Sequence, residues 1–559
     1  MRVLGFSVGH DKGAVIIEDG KVVVGITQER LTRIKHDGAY AGGAIPFLSI
    51  NYCLDALEIT HNEIDLWVYS TTEYEDTVEK QLFEAIPNFN FDKLRFIPHH
   101  LAHAYSSFFS SGFDEAAVIV ADASGSILNY RNKTHLWYDH EVYGLDMRDD
   151  WAEGIAIFHF TKNDYKEVYK KWIKSPTPLN TDEGTSVGSM YSEGSLQLIY
   201  EPNSHTWPAG KLMGLASYAD QHLVDEAPLY VQDLEDENDI YIPNNTIYPK
   251  VKWSSDFYSK ACTAGIYQRE QERASLILAK MAKRLTDSEN VCTAGGSFLN
   301  CGSNEKILSS GLFDGCFFIP PADDSGIPLG CAWYAYQEIT DIKETELIKP
   351  YFGKTYDRKD IITVINKHPE IRTTEYSDFD ELLDFVTYWL TQNRVMGWFQ
   401  GGSEIGPRAL GNRSIVASPI KAWMSGHING DIKLREWYRP FAPAVLFEHQ
   451  SEIFESSVYS PHMLVTTKVR EEWRNKIPAV THIDHTARHQ SVTLDGNERF
   501  YKLISKFYEK TGVPVLLNTS FNGPKEPIVE TPQEALNTFI NQNLDLLVIG
   551  NHVFLKNVI

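Results

Sequence analysis

Two histidines four residues apart, His99 and His103, give the chain its first chemical signal. On a helix that spacing puts both imidazoles on one face, where two ring nitrogens reach one metal ion. An apolar run over residues 116–121 then reads as a buried strand that ends at Asp122, beside the small turn Ala123-Ser124-Gly125. A carboxylate at a strand end, next to small residues, supplies a hard third ligand where phosphates can approach. A second apolar run, Phe317-Phe318-Ile319, leads into Asp323-Asp324-Ser325-Gly326, which offers Asp324 as the fourth. A pair of satisfied core histidines accounts for an isolated HxxxH as well. The two downstream carboxylates tip the balance to a metal site.

A second set of residues is cationic. Residues 400–415 contain four glycines with Arg408 and Arg413, an anion-friendly loop. It lacks the Gly-Lys-Ser/Thr of a Walker loop. Lys433, Arg435, Arg439 and Arg488 follow, and Asn518, Ser520 and Asn522 add amide and hydroxyl groups after an apolar run. One such Arg is explained by a solvated face. Several in Gly, Ser, Pro and aromatic settings point to a phosphate and nucleotide site.

Weaker signals stand alone. Gly295-Gly296 lets backbone approach an adenosine or phosphate closely, and Asn300 can bridge polar ligand groups. Lys35 lies in a locally basic run, residues 28–38, where an anion contact and a solvated face are both open. Lys211 sits in a compact Gly-Lys-Gly segment. His10, in the first glycine-flanked loop, is a base, a metal neighbour or a plain turn residue.

These residues need elements to hold them. The opening reads strand, loop, strand, then Asp19-Gly20 as a tight turn into a third strand. That is how the actin/hexokinase/Hsp70 nucleotide fold begins, and an ordinary meander fits it too. Residues 268–286 have amphipathic helical spacing, and residues 395–399 read as a strand. A two-lobed fold with duplicated halves would bring the strand ends at Asp122 and Asp324 into one cleft. A charged stretch with Pro350 and Gly353 places a boundary near residue 350, predicting domains 1–350 and 351–559. Residues 130–201 are mixed and aromatic-rich, and no chemistry is assigned to them.

At 559 residues the chain is too long for one ordinary core. Its 43% hydrophobic content is that of a globular protein, not a disordered one. The net charge of -23 disfavours extensive nucleic-acid contact. Six cysteines without a CxxC pair argue against a disulfide framework or zinc ribbon. No leader or membrane-length apolar window is visible, so a cytoplasmic location without membrane partners is expected. A homodimer is compatible with the sequence but not required by it.

Five segments, in order, carry a resemblance: residues 99–104; Gly295-Gly296 with Asn300; residues 406–414; residues 435–443; and residues 517–522. Together they are similar to the ATP-dependent O-carbamoyltransferases of nodulation-factor and antibiotic biosynthesis, such as the tobramycin and cephamycin enzymes. The resemblance covers nearly the whole chain. It implies an actin-like, Kae1-like two-lobed N-terminal domain and a YrdC-like α/β C-terminal domain. It implies that His99, His103, Asp122 and Asp324 bind a divalent metal, Fe2+ in this family. Arg408, Lys433, Arg439, Arg488, Asn518, Ser520 and Asn522 would meet carbamoyl phosphate and ATP, the latter with Mg2+. Lys35, Asp122, Gly125, Lys211, Gly295, Gly296, Asn300 and Asp324 would meet carbamoyl-adenylate. Catalytic roles fall to His10, Arg408 and Arg439, with His10 taking the proton of a small-molecule hydroxyl acceptor. One departure is Pro328, where the family carries a smaller or more flexible residue. Rival readings are an actin-like-fold small-molecule kinase, threonylcarbamoyl transfer to tRNA, and a non-catalytic nucleotide-binding scaffold. The acceptor itself is not legible.

Overall fold

The computed structural model describes residues 1–37, 44–72, 76–128, 151–174, 184–199, 208–243, 256–340 and 345–556. Gly38, at the end of the basic run, and much of residues 130–201 lie outside them. The chain separates into two units: Met1–Thr32 with His36–Ile348, and Arg33–Lys35 with Lys349–Ile559.

The first unit holds two main sheets with one topology. In the first, β1 (Arg2–Val8) lies antiparallel to β2 (Gly13–Glu18), which is antiparallel to β3 (Lys21–Thr27). On its other side β1 is parallel to β4 (Leu66–Thr71), and β4 is parallel to β5 (Leu94–Phe96). The order is β3-β2-β1-β4-β5. The turn between β2 and β3 uses Asp19 at φ 48° and Gly20 at φ 79°, the two positive values that a twisted two-residue hairpin demands.

The second sheet repeats this plan. Its central strand, β6 (Glu115–Ala121), is antiparallel to β8 (Trp151–Thr161), which is antiparallel to β9 (Tyr165–Lys174); the two-residue β7 (Ile127–Leu128) also pairs with β8. A small ribbon, β10 (Gln232–Leu234) and β11 (Asp239–Tyr241), stands apart. Beyond it β12 (Asn290–Ala294) lies parallel to β6, and β13 (Gly315–Phe318) parallel to β12. The order β9-β8-β6-β12-β13 matches that of the first sheet strand for strand. Residues 116–121 are all buried, the continuous apolar pattern of a strand covered on both faces.

Two helices connect the sheets. His99–Phe109 packs on β6 and β12, Ile327–Ile339 packs on β1 and β4, and the two helices pack on each other. Glycine sets how closely they approach. A Cβ at Gly330 would stand 1.8 Å from the Ala102 carbonyl, and one at Gly5 would stand 2.1 Å from the Pro328 carbonyl. Pro328 itself lies in the first helical turn, where its missing N–H leaves no gap in the hydrogen-bond ladder. The helix expected over residues 268–286 spans Phe257–Thr286. Its first half was missed because Ala261, Cys262, Thr263, Ala264, Gly265, Ile266 and Tyr267 are all buried, so no amphipathic stripe marks them.

The second unit is built on one mixed sheet of order β14-β23-β22-β15-β16-β21-β17-β20. Its strands are β14 (Arg372–Glu375), β15 (Met396–Phe399), β16 (Arg413–Ala417), β17 (Ala442–Leu446), β20 (Gln490–Val492), β21 (Val515–Ser520), β22 (Leu546–Ile549) and β23 (His552–Leu555). The ribbon of β18 (Thr467–Lys468) and β19 (Thr486–Ala487) lies off that sheet. Helices Phe379–Thr391 and Glu498–Thr511 pack on each other, and Pro532–Asn541 packs on β15 and β22. Among the described residues, no helix is long and apolar enough to cross a membrane.

Candidate functional site

The helix His99–Phe109 and the turn Asp324–Gly326, which feeds the Ile327–Ile339 helix, bring their polar starts together. His99 Nε2 lies 3.5 Å from Asp122 Oδ2 and 3.3 Å from Asp324 Oδ1. His103 Nε2 lies 3.2 Å and 3.4 Å from the same two oxygens. All four ligand atoms fall within 4.8 Å of one another, and all four residues are buried. Asp324, expected at a strand end, instead opens a short turn six residues beyond β13.

Asp122 is presented by a break in the sheet. β6 pairs with β8 as far as Ala121 opposite Ile155, and β7 resumes with Ile127 opposite Ala152. Between them the chain leaves the sheet and returns, tied by Gly125 N–H to the Glu153 carbonyl at 2.8 Å. Gly125 is required there, since a Cβ would stand 2.8 Å from both His100 and Glu153. Gly295, at φ 95°, faces the Ala121 carbonyl, and a Cβ on Gly296 would lie 3.2 Å from Asp122 Oδ1. Gly296 therefore borders the ligand carboxylate, and Gly295 the backbone just before it. The Ser186 and Ser189 hydroxyls donate to the Ala123 carbonyl, at 2.7 and 2.9 Å. Neither serine had a signal in the sequence.

The charges are mutually dependent. Burial alone would raise Asp122, but the adjacent His103 and His99 imidazoles hold it well below the usual carboxylate range. Burial likewise opposes the lowering of Asp324, which His99 and His10 bring about. Burial disfavours a charged His99, yet Asp324 and Asp122 raise it to about 10. His100, buried with no near carboxylate strong enough to compensate, falls to about 3 and is neutral. His10 is raised well above 6.5, first by Asp324. Around it Asp11 accepts from His36 at 2.6 Å, and Asp323 is pushed up to about 7 by burial and by Asp11. Asp11, Glu29 and His36 form a second group with convergent ligand atoms. The four-residue cluster fits a divalent metal: two imidazole nitrogens and two carboxylates converge, and the buried His99 Nε2 has no well-formed hydrogen bond.

The second unit has the opposite polarity. Lys433 is buried, and its ammonium donates to Asn522 Oδ1 at 2.6 Å, to the Asn522 carbonyl at 3.1 Å and to Ser520. Burial pushes its pKa well down, and Arg435, Arg439 and Lys35 push it further. Arg435 is depressed in turn by burial, Arg439 and Arg488. Five cations therefore share one neighbourhood. Lys35, read from sequence as a contact in the first domain, is counted with this unit. Arg33 draws it there, donating to the Pro527 and Ile528 carbonyls, each at 2.8 Å.

Several expected contacts have other work. Arg413 is fully buried, donates to the carbonyls of Gln400, Gly401 and Asn412, and lies 3.5 Å over the Phe399 ring. It fastens the glycine-rich loop. Buried Glu404 accepts the N–H groups of Leu410, Asn412 and Arg413, which shapes the loop carrying half-buried Arg408. Asn518 donates to the Ala409 carbonyl and to Gln490. Asn300 caps the Cys301–Ser309 helix and pairs with Gln268. Lys211 lies on the Ala209–Ala216 helix, packed on Phe257–Thr286.

Comparison with known proteins adds independent information. Residues 2–89 and 74–333 match the carbamoyltransferase N-terminus model, and residues 387–556 match the carbamoyltransferase C-terminus model. The nodulation protein NolNO of Sinorhizobium fredii is 32% identical over 98% of this chain and 79% of its own length. A 3'-hydroxymethylcephem-O-carbamoyltransferase of Amycolatopsis lactamdurans is 31% identical over 79% of this chain and 84% of its own. Among solved structures, HypF of T. kodakarensis is similar over 62% of this chain and 49% of that chain, at 12% identity and a TM-score of 0.38.

Proposed function

The chain belongs to the carbamoyltransferase family, and from that premise we propose that it is an ATP-dependent O-carbamoyltransferase acting on a hydroxyl of a small molecule. The reading has two steps. In the first, one water hydrolyses carbamoyl phosphate to carbamate and inorganic phosphate, and the carbamate oxygen attacks the α-phosphorus of ATP, held with Mg2+. Carbamoyl-adenylate forms and pyrophosphate leaves. In the second, the acceptor hydroxyl attacks the carbamoyl carbon and AMP leaves. The fold assignments that go with this reading are Kae1-like for the first unit and YrdC-like for the second.

The observation that carries it is the split of charge: convergent carboxylates and imidazoles in one unit, crowded cations in the other. Lys433, Arg435, Arg439 and Arg488 repel one another, and multiple phosphate oxyanions relieve that repulsion. Arg408 and Arg439 would stabilise the charge that builds on the departing groups. His99, His103, Asp122 and Asp324 would hold the divalent ion, Fe2+ by the resemblance, and that ion when bound supplies Lewis-acid stabilisation of a phosphoryl oxygen. Gly296 leaves free the space beside Asp122 Oδ1 that a side chain there would crowd. Exclusion of water matters because a carbamoyl-adenylate hydrolyses readily.

The test supplies carbamoyl phosphate, ATP and Mg2+ with and without a panel of alcohols. Pyrophosphate and carbamoyl-adenylate are expected without an alcohol, and AMP with carbamoylated product when one fits. ADP formed from ATP and alcohol alone would instead identify a kinase.

A further inference from the structure

One buried ion pair in the first unit takes no part in the proposed transfer. Glu153 on β8 and Lys170 on β9 are 0% and 1% exposed, and Lys170 Nζ lies 2.6 Å from Glu153 Oε1. The ammonium also stands over the Phe158 and Trp172 rings, at 5.8 and 5.5 Å. Burying two charges costs about as much as their attraction returns, so the pair is not explained by stability alone. The other oxygen, Oε2, shows a use. It accepts the His100 N–H at 3.1 Å and the Ser126 N–H at 3.0 Å.

The first N–H groups of a helix have no partner within it. The helix His99–Phe109 begins after Pro98, which offers no side-chain cap. Its caps come from elsewhere. The Ser126 hydroxyl accepts the His99 N–H at 3.0 Å and donates to the Thr71 carbonyl at 3.3 Å, while Glu153 takes the His100 N–H. A carboxylate there also complements the helix dipole. The Glu153 backbone grips the same return, donating to the Ser126 carbonyl at 3.2 Å. The helix start that carries His99 and the segment that carries Asp122 thus share one anchor.

We propose that Glu153, together with Ser126, is a positioning element of the metal centre, clamping the His99 end of its helix to the chain segment that presents Asp122. Lys170 holds the other oxygen of Glu153 at 2.6 Å and also pairs with Glu167 at 2.8 Å. The inference rests on the metal reading of His99, His103, Asp122 and Asp324. Outer groups that orient ligands in this way typically change metal affinity by about 10- to 100-fold.

The experiment uses the full chain stripped of metal and titrated with Co2+, followed by its visible absorption. Two charge-neutral double variants are compared. Glu153→Gln with Lys170→Met keeps an acceptor for both N–H groups, and should bind Co2+ within about threefold of the parent with its band shape kept. Glu153→Met with Lys170→Met removes the acceptor, and should bind about 10- to 100-fold more weakly with an altered band. A merely structural residue would lower the melting temperature of both variants and leave Co2+ affinity and spectrum of the folded protein alone; that result overturns the proposal. If the second variant does not fold, Ser126→Ala replaces it, and unchanged affinity and spectrum there also overturn the proposal. A parent chain that takes up no Co2+ overturns the metal reading, and this inference with it.

Discussion

His10 Nε2 stands 3.3 Å from Asp324 Oδ2, while its Nδ1 faces Asp11 Oδ2 at 3.2 Å. One imidazole therefore bridges a candidate metal ligand and a loop carboxylate. Asp324 is the main reason its pKa lies well above 6.5. So placed, His10 donates protons. In the proposed reading, a cation that engaged the charge of Asp324 would free it to accept a proton, which would tie a base role to an occupied metal site.

His10→Asn keeps polarity and removes the titrating group. It should slow transfer to the alcohol by about 100- to 10,000-fold, the scale of one general base, with pyrophosphate release nearly unchanged. Carbamoylated product and pyrophosphate are measured separately. Near-normal product would exclude the base role, and loss of metal with product would move His10 into the ligand shell.

Metal binding should be linked to protons. With the folded pKa of His99 raised to about 10, a metal must displace a proton at pH 7. Affinity for a divalent ion should therefore rise with pH from about 6.5 towards 10, with proton release seen by calorimetry in buffers of different ionisation enthalpy. In the metal-free protein the sign for stability is the reverse. A raised imidazole pKa contributes stability that is complete below about 6.5 and is lost as pH climbs through the folded value near 10. The depressed carboxyls of Asp122 and Asp324 contribute above about 3.8 and lose that contribution in acid. His99→Ala or Asp122→Asn should lower bound metal in elemental analysis and abolish transfer.

The cationic unit should fail separately. Arg439→Ala or Arg488→Ala removes a charge-assisted contact and should block carbamoyl-adenylate formation, read as pyrophosphate release. The same variants should still transfer from supplied carbamoyl-adenylate. A folded variant that loses the second step as well would contradict the two-step division.

What the sequence made legible was local. The four-residue spacing of His99 and His103 needed only a helix, and the Asp19-Gly20 hairpin needed only two residues that accept positive φ. The apolar runs that became β6 and β12 stood out because those strands are buried almost throughout. What escaped depends on distant pairing. Glu153 is one polar residue in an apolar strand, and its partners His100, Ser126 and Lys170 lie 17 to 53 positions away. Arg413 was hard to assign because a cation in a glycine-rich loop looks the same in sequence whether it meets an anion or backbone carbonyls. Only burial separates the two, and burial is a tertiary property. Lys35 was hard to place for a similar reason: its neighbour Arg33 donates to carbonyls nearly 500 positions on.

Two glycine substitutions should behave oppositely. A Cβ at Gly330 would stand 1.8 Å from the Ala102 carbonyl, whereas one at Gly210 meets nothing within 4 Å. Backbone cannot yield as a flexible side chain can, so Gly330→Ala must push apart the two helices whose starts carry His99 and Asp324. Overpacking of this kind costs about 1–3 kcal/mol, and the displacement should weaken metal binding as well. Gly210 lies in the first turn of the Ala209–Ala216 helix, where alanine lowers the entropy of the unfolded chain and should add up to about 0.5–1 kcal/mol. Denaturant melts measure both. Gly210→Ala also decides whether that glycine serves a ligand. Full transfer activity would mean that no ligand needs the space beside Gly210, and a lost adenylate-dependent step would mean that one does.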